Sequence, residues 1–142
     1  MAVIATQGSF ALLGGLIKQY DCPEAPSLFN DVLVVNTAAI KTIPLGTVLG
    51  KITATGKYIP AVETAVDGSK VAAAIYIGDS TGAVTNTVTV AATDTNVLAL
   101  VRGKVVVAKD ALVLDATYDD ATKKNVVYAS LKALGIFAET TV

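Results

Sequence analysis

The part of the chain after residue 30 consists mainly of short β-branched runs separated by turn-forming residues. Six runs are long enough to form strands: DVLVVN, TVLGKIT, KYIPAV, KVAAAIYIG, VTNTVTVAA and VLALVRGKVVVA. In VTNTVTV the valines and threonines alternate, which at a period of two residues places most valines on one face. This run is typical of a half-buried strand. The sequence therefore predicts a mainly β fold.

Turn residues occupy the gaps between these predicted strands. DGS at residues 67–69 lies between two runs, as a tight hairpin requires, and residues 79–82 fit a longer loop. Pro60 cannot donate a hydrogen bond to a ladder, so we expect it at an edge or at a strand end. RGK at residues 102–104 indicates a bend or bulge with polar ends, and not a binding patch.

One segment near the C-terminus, residues 117–135, has a helical period. Its apolar residues recur at i, i+4 and i+7 on one face, at Val127, Leu131 and Leu134. The lysines predicted to face water are Lys123, Lys124 and Lys132. Thr117 and Asp120 resemble a capping box with Asp in place of Glu, and Gly135 suits a left-handed stop. These features predict an amphipathic helix, which IFAETTV follows as a closing strand.

Residues 1–30 differ from the rest and are predicted to form an extended N-terminal arm, with residues 31–142 as a single domain. Glycines and prolines interrupt the arm, and its apolar residues show no sustained period. The arm either folds back over the core or docks on another chain. No positive charge precedes Lys18, so the n-region of a secretory signal is lacking and we expect a mature N-terminus.

Charge and composition narrow the possible partners. Eleven basic and 12 acidic residues give a net charge of −1 without charged blocks, so we do not expect nucleic acid to bind. Lysines interrupt the apolar runs before they reach the roughly 18 residues of a membrane helix, so we expect no membrane partner. The chain is 53% hydrophobic and only 16% charged, against about 25% in typical domains. We therefore expect buried subunit interfaces.

The sequence also lacks the side chains of common catalytic sites. The absence of histidine removes Ser/His/Asp and Cys/His catalysis, and with a single cysteine, Cys22, it leaves a poor ligand set for zinc. The adjacent Asp119 and Asp120 suit the capping of a helix better than catalysis. The turns at Asp67 and Asp79 lack the spaced acidic pattern of a calcium loop. We therefore expect no enzyme, no cofactor, and no catalytic, cofactor-binding or metal-ligating residues.

Four blocks of the sequence, in this order, resemble the lambda-type bacteriophage head decoration proteins: PLGTVLGKITATGKYIPA, DGSKVAAAIYIGDS, LALVRGKVVVAKDALVL and YDDATKKNVVYASLKALGIF. The resemblance covers roughly residues 32–142. It implies a mainly β (α+β) fold, a small β-sandwich or barrel-like, β-tulip-like domain with one helix in its C-terminal half. It also implies a homotrimeric capsid cement protein, made in the host cytoplasm. Such a trimer binds the major capsid protein on the outer surface of the expanded head and stabilises it against DNA pressure.

In proteins of this family the N-terminal arm is a principal contact with the capsid. The resemblance therefore makes the apolar residues of the arm candidate capsid-binding positions: Phe10, Leu12, Leu13, Leu16 and Ile17. The expected mode is β-augmentation by an arm that is partly unordered in the free protein. Three alternatives stay open: a small β-barrel that binds an apolar ligand, another β-rich virion module of a tail or fibre, and an enzyme that uses carboxylates alone.

Overall fold

The computed structural model describes residues 17–20, 30–36, 41–79, 87–90, 94–103 and 105–140. These residues form ten strands, one α-helix and a 3-10 turn at Lys109–Ala111. In chain order the elements are β1 (Ile17–Tyr20), β2 (Asn30–Val35), β3 (Lys41–Pro44), β4 (Val48–Lys51), β5 (Tyr58–Pro60), β6 (Ala72–Asp79), β7 (Thr87–Val90), β8 (Thr95–Leu100), β9 (Val105–Ala108), α1 (Ala121–Ala133) and β10 (Ile136–Glu139). The predicted fold class, mainly β with one helix, is confirmed.

Five strands close into a barrel in the order β2-β5-β4-β6-β8. All neighbours are antiparallel except β2 and β5, which meet in parallel at Val35 and Tyr58. At this seam the backbone N–H of Asn36 donates to the Tyr58 carbonyl at 3.1 Å. The carboxylate of Asp94 accepts from Asn36 Nδ2 and Lys57 Nζ, each at 2.9 Å. The barrel is therefore closed by a short backbone contact together with the side-chain hydrogen bond and ion pair of Asp94.

A second sheet has the order β1-β9-β10, with β9 antiparallel to β1 and parallel to β10. The helix α1 packs against β6 of the barrel and β10 of the second sheet. The strands β3 and β7 form a separate antiparallel pair. The helix and the second sheet therefore cover one side of the barrel.

The buried side chains form two clusters. The barrel core consists of Val35, Ile43, Leu49, Ala74, Tyr76, Val97 and Ala99. The outer core lies between the barrel, α1 and the second sheet and consists of Val48, Ala61, Ala72, Ile75, Ile77, Leu100, Val105, Val107, Tyr118, Val127, Leu131 and Ile136. The strand β6 alternates between them, with Ala74 and Tyr76 inward and Ile75 and Ile77 outward. Because both faces of β6 are buried, its sequence is a continuous apolar run.

The predicted helix is present and its phase is confirmed. Val127 and Leu131 are buried in the outer core, and Leu134, at the C-terminal cap, packs against that core. The helix stops at Gly135, which has a φ of +87° as predicted. A Cβ at Gly135 would lie 1.6 Å from the carbonyl oxygen of Gly103, so the site excludes any side chain.

The start of the helix differs from the predicted capping box. Asp120 is the N-cap residue, and its carboxylate accepts from the backbone N–H of Lys123 at 2.8 Å. Thr117 precedes the helix; its hydroxyl donates to Asp115 Oδ2 at 2.8 Å and accepts from the backbone N–H of Glu63 at 3.0 Å. The capping box is therefore wrong, because the threonine is engaged in fixing the preceding loop.

The structure also tests the predicted turns. The hairpin at the DGS sequence is wrong: β5 pairs with β4 and β2 and not with β6. The turn itself is present, since Asp67 Oδ1 accepts from the backbone N–H and the hydroxyl of Ser69 at 3.0 and 2.6 Å. Pro60 ends β5, as predicted. Gly103, with a φ of +139°, lies at the bend where the chain leaves the barrel for the second sheet.

Some predictions fall outside the described residues. These are the loop beyond Asp79, the alternation before Thr87, and Lys104 at the bend.

Candidate interaction surfaces

The arm meets the body of the protein through β1. Ile17 is paired with Val107 of β9, and Tyr20 is paired with Val105. For residues 17–20 the structure therefore supports an arm that folds back onto the body. The other candidate capsid-binding residues, Phe10, Leu12, Leu13 and Leu16, lie outside the described residues.

Several large apolar side chains are on the surface of the described residues. They are Val32, Val66, Val71, Val113 and Val126. Val66 is fully exposed, at 100%, and Val71 is 56% exposed. Both lie in the connection between β5 and β6 and at its end, on either side of the Asp67 turn. Exposed apolar side chains of this size are typical of contact surfaces when they cluster.

Hydrogen bonds of the Asp67 turn hold residues 66–71, which we call the tip, in place. In addition to the two bonds from Ser69, the Asp67 carbonyl accepts from the backbone N–H of Thr53 at 2.9 Å. The hydrogen bonds from the Ser69 hydroxyl and amide lower the pKa of the Asp67 carboxyl. The backbone of the tip is therefore held by hydrogen bonds, and its exposed side chains are apolar. Binding of a partner there would cost little conformational entropy.

The outer face of β2 is a second apolar surface. Val32 is 52% exposed and is paired across the ladder with the half-buried Leu98 of β8. On the opposite face of β2, Arg102 Nη2 donates to Asp31 Oδ2 in an ion pair in which both side chains are half exposed. Such an exposed pair contributes little to stability. The outer face of β2 therefore presents Val32 as an exposed apolar side chain, and the ion pair lies on the other face of the strand.

A groove of about 730 Å³ runs between the segment 109–116 and α1. We call it the helix groove. Its lining includes Leu112, Val113 and Leu114 of that segment and Tyr118, Lys124 and Tyr128. Thr140, just after β10, also lines the groove.

Two tyrosines shape the helix groove. The ammonium of Lys109 lies 4.9 Å from the centre of the Tyr128 ring, in a cation–π contact. Burial, and secondarily the charge of Asp110, raise the pKa of the Tyr128 phenol. The Tyr118 hydroxyl donates to the carbonyl of Lys70 at 2.9 Å. The groove is therefore lined by polar and charged groups together with apolar and aromatic side chains.

The barrel interior, where an apolar ligand would have to bind, is occupied by the protein's own side chains. The residues that fill it without exposure are Val35, Leu49, Ala74, Tyr76, Val97 and Ala99. A ligand the size of a lipid tail would have to displace these side chains. The apolar-ligand hypothesis finds no support in this part of the structure.

The paired aspartates serve the helix start. Asp120 caps α1, and Asp119 Oδ1 accepts from Lys123 Nζ at 2.8 Å. In the described part of the chain, no group of three or more His, Cys, Asp or Glu residues is arranged to hold a metal ion. Over the same residues, none of the helical structure has the length and apolar character needed to span a bilayer.

Sequence reasoning missed the helix groove. Its sides come from α1 and from the irregular segment before it, and no periodic pattern indicates that two such segments enclose a space. The only sequence signal is the apolar pair Leu112 and Leu114 next to a predicted helix.

Comparison with known proteins identifies the family. No curated protein sequence matches this chain. The family model described as Bacteriophage lambda head decoration protein D matches residues 23–136, which is most of the chain. The matched range includes the whole barrel, α1, and the last eight residues that the sequence assigns to the arm. The chain therefore belongs to the bacteriophage lambda head decoration protein D family and is a structural virion protein that binds the phage capsid.

Proposed function

We propose that the protein binds the outer surface of the expanded phage head as a homotrimer, bridges neighbouring capsomers and stabilises the head against the pressure of packaged DNA. The observation that carries this proposal is the family match over residues 23–136. The finer features, the trimer and the bridging, come from the resemblance and from the physical arguments that follow.

The two cores suit a protein that works as a clamp. A closed barrel with a second core on its outside is hard to deform, because the strands β4, β6 and β8 pack on both faces. A trimer that contacts several capsomers resists their separation because its individually weak contacts must fail together. This function needs rigidity and contact surface, and it needs no catalytic group.

The exposed valines support subunit contacts. Val32 on β2 and the tip at Val66 and Val71 offer apolar surface that a neighbouring subunit or the shell would cover. Light scattering of the free protein is expected to give three times the chain mass of 14.5 kDa. A monomeric mass in solution, together with single copies on decorated heads in electron micrographs, would contradict the trimer.

The N-terminal arm supplies the main capsid contact in this proposal. Phe10, Leu12, Leu13 and Leu16, with Ile17 at the start of β1, would anchor an added strand on a sheet edge of the major capsid protein. Backbone hydrogen bonds would give affinity, and the apolar side chains would fix the register.

The direct test is to mix the purified protein with expanded, undecorated heads and with unexpanded heads, and to sediment both. The protein is expected to cosediment with expanded heads only. It is also expected to raise the temperature at which DNA-filled heads rupture. Equal binding to both forms, or binding without stabilisation, would contradict the proposal.

A further inference from the structure

We propose that the outer edge of β10 binds a short extended segment of the capsid shell, which adds to the second sheet as a further strand. The inference rests on the proposed function, because the family match makes the shell the partner. Within the described residues, β10 pairs with β9 alone and lies at one edge of the sheet β1-β9-β10. The backbone groups of an edge strand that point away from its neighbour can pair with another chain.

The two edges of this sheet differ in how well they are protected against such pairing. At the other edge, β1 contains Lys18, and its register with β9 shifts between Ile17 and Gln19. A lysine and an irregular register are common means of blocking an edge. The strand β10 has the sequence IFAE, without lysine or proline, and its register with β9 is regular over all four residues. The β10 edge is therefore the better suited of the two to accept a strand.

A groove of about 390 Å³, which we call the edge groove, follows this edge. Its lining includes three consecutive residues of β10, Phe137, Ala138 and Glu139. Because successive residues of a strand point to opposite faces, a groove that contacts all three runs along an edge of the strand. The opposite edge of β10 is occupied by β9. The edge groove therefore lies where an added strand would pair.

The helix α1 also contributes to the lining of the edge groove. Asn125, Ala129 and Lys132 line it, and their i, i+4, i+7 spacing is that of one helical face. All three are exposed, and Ala129 is the smallest of them, so it leaves room for the side chains of an added strand. The lining is polar as well as apolar, which suits a partner that is held by backbone hydrogen bonds.

The charges at the edge groove define the chemistry of the segment. Lys132 lies in the last turn of α1, and its carbonyl accepts from the Gly135 amide at 2.9 Å, directly before β10 begins. Glu139 is the last residue of β10. Both are exposed, whereas the third charged residue of the lining, Lys109, contacts the Tyr128 ring. A segment with an acidic residue at one end, a basic residue at the other and small or apolar residues between them complements this edge.

Binding of the full-length protein to expanded, undecorated heads tests the site. Ala129→Tyr places a large side chain in the edge groove. The matched control is Ala133→Tyr, at an exposed position of the same helix that does not line the groove. Ala129→Tyr is expected to weaken binding at least about tenfold, and the control by no more than about twofold. Both variants are expected to keep the unfolding midpoint, because both positions are exposed.

A charge reversal tests the chemistry of the segment. Lys132→Glu is expected to weaken binding about fivefold at low ionic strength, and less as salt is added. Lys124→Glu makes the same change of charge on the same helix outside the edge groove and is expected to have a smaller effect. Equal losses for the two variants would overturn the assigned acidic residue opposite Lys132.

Hydrogen exchange distinguishes a failure of this inference from a failure of the proposed function. Amides of Ile136–Glu139 that point away from β9 are expected to exchange at least about tenfold more slowly on heads than in the free protein, because an added strand protects them. Bound protein with unchanged exchange over β10, or equal affinities for Ala129→Tyr and Ala133→Tyr, would overturn the inference and leave the proposed function intact. A protein that does not bind heads at all would overturn both.

Discussion

The barrel core and the outer core share the strands β4, β6 and β8 but are filled by different side chains. Ala74, Ala99 and Tyr76 contribute to the barrel core, where five strands close around a narrow space. In the outer core, isoleucines of β6 and β10 meet Val127 and Leu131 of α1. A small closed barrel needs small side chains beside a few large ones. In the outer core, between a helix and a sheet, most of the side chains are branched aliphatic.

The difference between the cores concerns how each can respond to damage. The barrel core is bounded by a closed ring of strands, so it cannot contract when atoms are removed. The outer core has a helix as one of its walls, and a helix can shift toward a small cavity. The cost of a cavity depends on how far the site can collapse. We therefore expect the larger losses of stability in the barrel core.

Tyr76→Ala is expected to have the largest effect of the substitutions considered. Tyr76 is fully buried at the centre of the barrel core, and its truncation should lower the free energy of unfolding by about 3 to 5 kcal/mol. Urea denaturation at a fixed protein concentration measures this. The matched control is Tyr58→Ala on β5, where the side chain is only partly buried against the same core. Equal losses would mean that Tyr76 is not central to the barrel.

Leu131→Ala tests the outer core. The side chain is fully buried between α1 and the barrel, so its loss should cost about 2 to 5 kcal/mol, and less than Tyr76→Ala. Lys124→Ala, on the exposed side of the same helix, should change the free energy of unfolding by no more than about 0.5 kcal/mol. A larger loss for Leu131→Ala than for Tyr76→Ala would reverse the proposed order of the two cores.

Asp120→Ala tests the start of α1, which forms one wall of the outer core. Removing the N-cap carboxylate leaves the Lys123 amide without its partner and should cost about 1 kcal/mol. Asp119→Ala serves as the control, because it removes only an exposed ion pair with Lys123 and should have a smaller effect. If Asp119→Ala is the more harmful variant, Asp120 does not act as the cap.

The smallest expected effect is the acid dependence of the barrel seam. Hydrogen bonds from Lys57 and then Asn36 hold the pKa of Asp94 below its ordinary value of 3.8. A depressed folded pKa stabilises the protein above the unfolded value, and this contribution is lost as pH falls through the folded value. Stability should therefore fall below about pH 4, and Asp94→Asn should make the fall shallower.

Urea unfolding at neutral pH and in steps below pH 4 measures this dependence. Some slope should remain in Asp94→Asn, because the pKa values of Asp67 and Asp119 are also lowered. Parallel curves for the two proteins would show that Asp94 does not contribute to the seam.

Local patterns in the sequence predicted the face of α1 and the strands other than β1 and β3, because these depend on periodicity within one segment. Val127 and Leu131 were placed correctly for this reason. The closure of the barrel was only partly predictable, since β2 and β5 meet through a single pair of residues that are distant in sequence. The hairpin predicted at Asp67 was wrong for the same reason, because strand pairing depends on residues that are distant in sequence. Turn residues indicate that the chain bends, but they do not decide which strands then pair.

The candidate site was less predictable than the fold. The resemblance indicated the family, and the match over residues 23–136 confirms it. The capsid-binding role of Phe10, Leu12, Leu13, Leu16 and Ile17 stays a prediction. The strand β1 was not predicted, because IKQY carries no turn signal or alternation that distinguishes it from the rest of the arm.

The central claim is that a self-supporting barrel carries its capsid contact in the residues before β1. The most direct measurement compares the full-length protein with a variant that lacks residues 2–16 and keeps β1, by equilibrium binding to expanded, undecorated heads. We predict a nearly unchanged unfolding midpoint and oligomeric state, with affinity weakened more than about a hundredfold, as expected when several apolar anchors are lost. Unchanged binding by the truncated variant, or a truncated protein that unfolds or aggregates, would contradict the claim.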